Sequence, residues 1–248
     1  MYVENPKTKG SGILCAIPQK TKCPIKCKDC FFQSGRSYLE PLADNLPNMP
    51  SPSMANAGGY VVRMNDGNDS NIEKQTVIDA AWDYNDVFYN TSINDLNFPG
   101  PVVLTINPSV ITDTNFIMVK DPPKNLMFVR FRVNTWNVKL ANDAILYYTT
   151  RKIPVVLTFM AYHSQESIPK GDRSFYPLQK RTSNEYYAIS AGAWEIVMMR
   201  WRNNDLVFSC GKFGCVGHGA SGCRYCGVCL REYHATKTRI FEGEMLET

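Results

Sequence analysis

Tyr60-Val61-Val62-Arg63-Met64 is a β-prone run that breaks into Asn65-Asp66-Gly67-Asn68-Asp69, a cluster of turn formers. Ser70 and Glu73 then have the spacing of a capping box, and Ile72, Val77, Ala80, Ala81 and Tyr84 recur at helical intervals to about residue 85. Strand, polar turn and helix in immediate succession make one βα unit, and the unit repeats downstream. Residues 101–107 and 126–133 read as the third and fourth strands. A helix over about 138–150 leads to a fifth strand at 153–162, and a helix over about 184–201 leads to a sixth at 206–209. Upstream, the apolar run 12–17 ends at Pro18 and reads as the first strand. The strands are apolar on both faces, as in a parallel sheet covered by helices. The fold class expected is therefore α/β with a mainly parallel sheet.

Polar residues gather at the C-terminal ends of these strands: Asn65, Asp66, Asn107, Asn134, Tyr162, His163 and Cys210. In parallel α/β barrels that rim carries the active site. On the fourth strand Arg130, Arg132 and Asn134 share one face by the period of two, and two arginines pointing inward call for an anion to meet them. The stretch 36–56, rich in Pro, Asn and Ser, reads as a surface connection.

Between the first strand and that connection lies Cys23-Pro24-Ile25-Lys26-Cys27-Lys28-Asp29-Cys30. Three thiols in eight residues can grip one face of a soft metal centre and leave a coordination position open. Five more cysteines follow as Cys210-x4-Cys215-x7-Cys223-x2-Cys226-x2-Cys229, with six glycines from Gly211 to Gly227 to let the backbone wrap a centre. Five thiols exceed the four that a cluster or a zinc ion needs, so at least one is spare, and His218 need not be a ligand. Cys15, inside the first strand, reads as an inert core thiol.

The Cys-x3-Cys-x2-Cys spacing, placed after a first strand, resembles the radical S-adenosylmethionine (radical SAM) superfamily. The resemblance implies a partial (β/α)6 TIM-type barrel over roughly residues 12–210, with a small cysteine-rich C-terminal extension. It divides the chain into a barrel at 1–209 and a metal-binding tail at 210–248. It implies that Cys23, Cys27 and Cys30 hold a 4Fe-4S cluster that binds S-adenosylmethionine and cleaves it to a 5′-deoxyadenosyl radical, with an electron donor such as flavodoxin or ferredoxin. The family usually has an aromatic residue before the third cysteine; here Asp29 stands there, and Phe31 or Phe32 follows. Where the family has Gly-Gly-Glu after the second strand, this chain has Asn65 and Asp66, either of which would take the cofactor's amino group. Arg132 and Asn134 would hold its carboxylate or ribose, Asn107 lies on the same rim, and Tyr162 with His163 would meet adenine or substrate. The tail cysteines would hold an auxiliary iron-sulfur cluster, with a zinc site as the alternative.

Composition sets outer bounds. The chain has 248 residues, 44% hydrophobic and 20% charged, and a formal charge of +4, which by itself does not indicate nucleic acid. The longest apolar run, 153–162, is half of what a membrane span requires. Residues 1–10 are polar and carry no apolar core segment, so a cytoplasmic, reducing setting is expected for the nine cysteines. The long segment 164–183, with Lys170, Arg173, Lys180 and Arg181, is expected to act as a lid over a small-molecule or peptide substrate. The competing expectation is a zinc-binding module for nucleic acid or protein, with both cysteine groups structural.

Overall fold

The computed structural model describes residues 1–27, 30, 32, 38–108, 118–180, 185–210 and 223–246. In chain order the elements are β1 (Ile13–Ala16), α1 (Pro52–Ala57), β2 (Val61–Met64), α2 (Lys74–Ala81), β3 (Val87–Thr91), β4 (Val102–Ile106), β5 (Leu126–Val133), α3 (Val138–Thr149), β6 (Val155–Phe159), β7 (Ala161–Tyr162), β8 (Leu178–Lys180), β9 (Glu185–Ala188), α4 (Ala191–Met199), β10 (Val207–Cys210), α5 (Cys223–Cys226) and α6 (Val228–Leu246). Seven strands form one sheet in the order β1-β2-β3-β4-β5-β6-β10, every pair parallel, curled into a half-barrel. The α/β class with a parallel sheet is thus present, with one strand more than the sequence pattern suggests.

The added strand is β3. Its apolar part is only Val87-Phe88-Tyr89, followed by Asn90 and Thr91, too short to register as an alternating run, yet it pairs on both sides. Two other boundaries differ. The run 153–162 is broken: β6 stays in the main sheet, while β7 joins β9 and β8 in a small antiparallel sheet. The helix expected from 184 begins only at Ala191, where the Ser190 side chain accepts the Ala193 N–H at 3.3 Å; the aromatic run Tyr186-Tyr187 before it is strand. The capping box at Ser70 and Glu73 does not form. Asp69 accepts the Asn71 N–H instead, Ser70 Oγ accepts from Asn65, and α2 starts after Glu73.

Alternation along the strands gives the sheet two different faces. The outer face, with Val62, Met64, Leu104, Val129, Phe131 and Leu157, packs against α2, α3 and α4; α3 contributes Ala141, Ala144, Ile145 and Tyr148, spaced as one helical stripe. The inner face is split along its length. Its lower half, Ile13, Val61, Phe88, Val103, Phe128 and Val156, is apolar and is covered by Val228, Cys229 and Tyr233 of α6. Two residues further along each strand the side chains turn polar: Cys15, Arg63, Asn90, Thr105, Arg130, Thr158 and Cys210. The α6 helix is tied down by Tyr233 Oη donating to Asp86 at 2.7 Å and by Arg239 donating to the Leu126 carbonyl at 2.7 Å. An apolar floor with a polar storey above it positions the site.

Candidate functional site

Above that polar storey, at the C-terminal ends of β2 to β6, lies a cavity of about 200 Å³. One wall is the loop carrying Cys23, Cys27 and Cys30; the other is Asn65 to Asp69, Asn90 to Ser92, Thr105, Asn107, Arg130, Arg132 and Thr158. The cysteine loop turns tightly, with the Cys30 N–H donating to the Cys27 carbonyl at 3.2 Å and Lys26 in the left-handed region at φ 49°. Burial pushes the Cys23 thiol up to about 11 and the Cys27 thiol upward, the charge of Arg132 pulling Cys27 the other way. Such thiols become ligands when a metal displaces the proton. Among the described residues no three Cys, His, Asp or Glu side chains converge as a single ion requires.

On the lining residues the buried Asn65 Oδ1, Asn68 Oδ1 and Thr158 Oγ1 have no hydrogen-bond partner among the described residues. Each such group costs about 1–3 kcal/mol if left unmet, so together they define a place for a polar ligand that donates hydrogen bonds. Asn65 is preset for this. Its backbone is left-handed at φ 60°, a conformation Asn tolerates, and its amide nitrogen is spent on Ser70 Oγ at 3.1 Å, while its buried oxygen has no partner among the described residues.

The neighbouring carboxylates have other work. Asp66 is committed to Arg63 through an ion pair and accepts from Asn5 Nδ2. Asp69, 4% exposed, accepts from Thr91 Oγ1 at 2.7 Å, Ser92 N at 2.6 Å, Ser92 Oγ at 2.7 Å and Asn71 N at 3.0 Å, and so clamps the β2 loop to the end of β3. Phe32 also lines the cavity. Its ring lies against Gly67, where any side chain would overlap it, so Gly67 is required for the approach. Phe31 lies outside the described residues.

The sequence-derived rim residues divide. Asn65, Asp66, Asn107 and Arg132 line the cavity with the three cysteines, whereas Asn134 and Tyr162 do not. Asn134 lies just beyond the end of β5, where alternation no longer governs direction. It exchanges hydrogen bonds with Asn137 ahead of α3 and donates to Tyr162 Oη at 3.2 Å. Tyr162 is buried against Trp136 and Tyr176, with ring centroids at 5.5 and 5.8 Å. His163 is exposed. The described part of segment 164–180 packs on this same cluster through Ile168 and Tyr176 and is held by Thr135 Oγ1 donating to Asp172 at 2.6 Å; none of it lines the cavity. Sequence reading passed over Asn68, Asp69, Asn90, Thr105 and Thr158. The period of two that singled out Arg130 would also have found Thr105 and Thr158.

The tail brings Cys210, Cys223, Cys226 and Cys229 around a small cavity of about 10 Å³. A hydrogen bond to Cys226, then burial, holds the Cys210 thiol well above its ordinary range, and burial lifts Cys223 to about 11 and Cys229 upward. Cys215 and His218 lie outside the described residues. Cys15 is fully buried as expected, but on the polar storey, its Sγ accepting from Arg63 at 3.2 Å.

Comparisons of the chain with protein-family models, with curated proteins and with solved structures return no match. Among the described residues no helix is long and apolar enough to cross a membrane.

Proposed function

We propose that the chain is a radical SAM enzyme built on a partial barrel, abstracting a hydrogen atom from a small or peptide-sized substrate. One observation carries the reading: the three thiols of a single short loop face, across one cavity, the polar C-terminal ends of a parallel half-barrel. Three thiolates suit a 4Fe-4S cluster that keeps one position for another ligand, and the unpartnered acceptors suit the donors of an amino-acid moiety. When bound, that cluster supplies the electron that cleaves S-adenosylmethionine to a 5′-deoxyadenosyl radical, delivered by a donor such as flavodoxin or ferredoxin.

The chain's own residues bind and orient. Cys23, Cys27 and Cys30 hold the cluster. Asn65 and Asn68 accept hydrogen bonds from the amino group of the methionine moiety, a role Asp66 leaves to them because its charge is spent on Arg63. Arg132 and Asn107 meet the carboxylate or ribose, and Phe32 offers the apolar face nearest the loop. The packed floor under the polar storey keeps water from below. Anaerobic reconstitution tests the metal. The expected protein is brown and loses about four irons when Cys23, Cys27 and Cys30 are all replaced by Ala. A colourless protein holding zinc alone would point to the interaction module instead.

A further inference from the structure

The loop that carries the first three cysteines has a second side. Between Pro18 and Lys28 the sequence holds Lys20, Lys22, Lys26 and Lys28 and no acidic residue. Along its described part the side chains alternate. Cys23, Ile25 and Cys27 line the cavity, whereas Lys22, Pro24 and Lys26 between them are exposed, as is Lys20. The loop is therefore a single-layer wall, apolar and thiol-bearing on the cavity side and cationic on the outside. It is also held in place: Gln19 Nε2 donates to the Asp69 and Ile72 carbonyls at 3.1 and 2.8 Å, and Asn68 Nδ2 donates to the Thr21 carbonyl at 2.9 Å. Among the described residues Lys20, Lys22 and Lys26 make no ion pair, and Glu73 beside them accepts from Thr21 Oγ1 at 3.4 Å. Lys26 also sits in left-handed backbone at φ 49°, which costs a residue with a side chain about 1–2 kcal/mol. Its side chain is exposed, so no packing inside the fold returns that cost.

We infer that the outer side of this loop is the docking surface for an acidic redox protein that passes one electron through the wall to the centre held by Cys23, Cys27 and Cys30. The inference rests on the cluster reading proposed above and adds where the donor binds and what charge it carries. The donor's flavin or iron-sulfur group is oxidised by one electron and the cluster is reduced by one, with no bond made or broken at the contact. Exposed lysines on a fixed loop attract a carboxylate-rich face and speed its encounter, and the ordering is done before the partner arrives. A partner docked there need not enter the cavity, because Cys23 and Cys27 are direct chain neighbours of Lys22 and Lys26. Nucleic acid suits the surface less well, since residues 18–27 hold no aromatic side chain on which bases would stack.

The test compares the reconstituted full chain with its Lys20→Glu, Lys22→Glu, Lys26→Glu variant, using a reduced acidic ferredoxin and dithionite as alternative reductants. Both proteins should hold the same iron and bleach to the same extent with dithionite, which needs no docking. At low salt the variant should bind the ferredoxin at least about tenfold more weakly by calorimetry and be reduced by it at least about tenfold more slowly in stopped flow, as loss of steering charge predicts. Both differences should close near 1 M salt, where the screening length is about 3 Å. Lys20→Glu alone, away from the cysteines, should give part of the effect, which separates docking from damage to the ligand loop. Unchanged binding and transfer in the triple variant, differences that persist undiminished at about 1 M salt, or tighter binding of single-stranded RNA than of ferredoxin through the same lysines would each overturn the proposal. A chain that loads no iron on Cys23, Cys27 and Cys30 would instead overturn the cluster reading beneath it, a result visible before any donor is added.

Discussion

Replacing Asp69 by Asn changes one atom in shape and removes one charge, and its cost can be worked from the contacts. The carboxylate accepts four hydrogen bonds: Oδ1 from Thr91 Oγ1 and Asn71 N, Oδ2 from Ser92 N and Ser92 Oγ. An amide can accept at only one of those two positions. Whichever way it turns, an NH2 faces one backbone N–H that cannot reorient, while the paired hydroxyl can rotate to accept. The net loss is one charge-assisted bond to a backbone N–H plus the charge on the remaining pair, about 2–4 kcal/mol. For a chain of this size that corresponds to a melting point lower by roughly 4–16 °C. Calorimetry on the reconstituted protein measures it, with Ser92→Ala, which keeps the Ser92 N–H bond, expected to cost only about 1 kcal/mol. A shift in Asp69→Asn no larger than that of Ser92→Ala would refute the clamp.

Asn65→Gly keeps the left-handed backbone at φ 60° but deletes the unpartnered oxygen together with the hydrogen bond to Ser70 Oγ, so calorimetric affinity for S-adenosylmethionine should fall about tenfold while stability falls by about 1 kcal/mol; unchanged affinity would remove Asn65 from the site. Gly67→Ala should cost about 1–3 kcal/mol in denaturant unfolding because the Phe32 ring must move, and that cost should shrink in the Phe32→Ala background; additive effects would show that the two do not touch. Asp95 is held below its ordinary range by its hydrogen bond to Lys74, at 2.7 Å, and by the Asn97 N–H. A depressed folded-state carboxyl contributes above its unfolded pKa and is lost as pH falls through the folded value. Asp95→Asn should therefore lower stability by under about 1 kcal/mol at neutral pH and make no difference in strong acid, since Asp95 is 52% exposed.

Much of the architecture was legible because parallel strands buried on both faces leave continuous apolar runs, and β2, β4, β5 and the body of β6 all have them. β3 was hidden because its inner position Asn90 serves the site rather than the core, donating to the Met64 carbonyl and accepting from Arg130. Local rules misled where a tertiary partner outbid them: Asp69, not Ser70, took the turn, and aromatic residues before Ser190 went to an antiparallel pair. At the site, Asn65, Asn107 and Arg132 follow from strand ends and alternation. Asn134 does not reach the cavity because one residue past β5 the chain is already turning into α3, and Tyr162 does not because β7 has left the main sheet to pair with β9. The pairing of Asp66 with Arg63 has no local signal in polarity, since it depends on Arg63 being buried beside Cys15.

The most direct measurement is 5′-deoxyadenosine released from S-adenosylmethionine by the anaerobically reconstituted chain with dithionite as reductant. The wild-type chain should form it and the variant lacking Cys23, Cys27 and Cys30 should form none. Equal release from both proteins, or none from a wild-type chain carrying its full iron, would contradict the account.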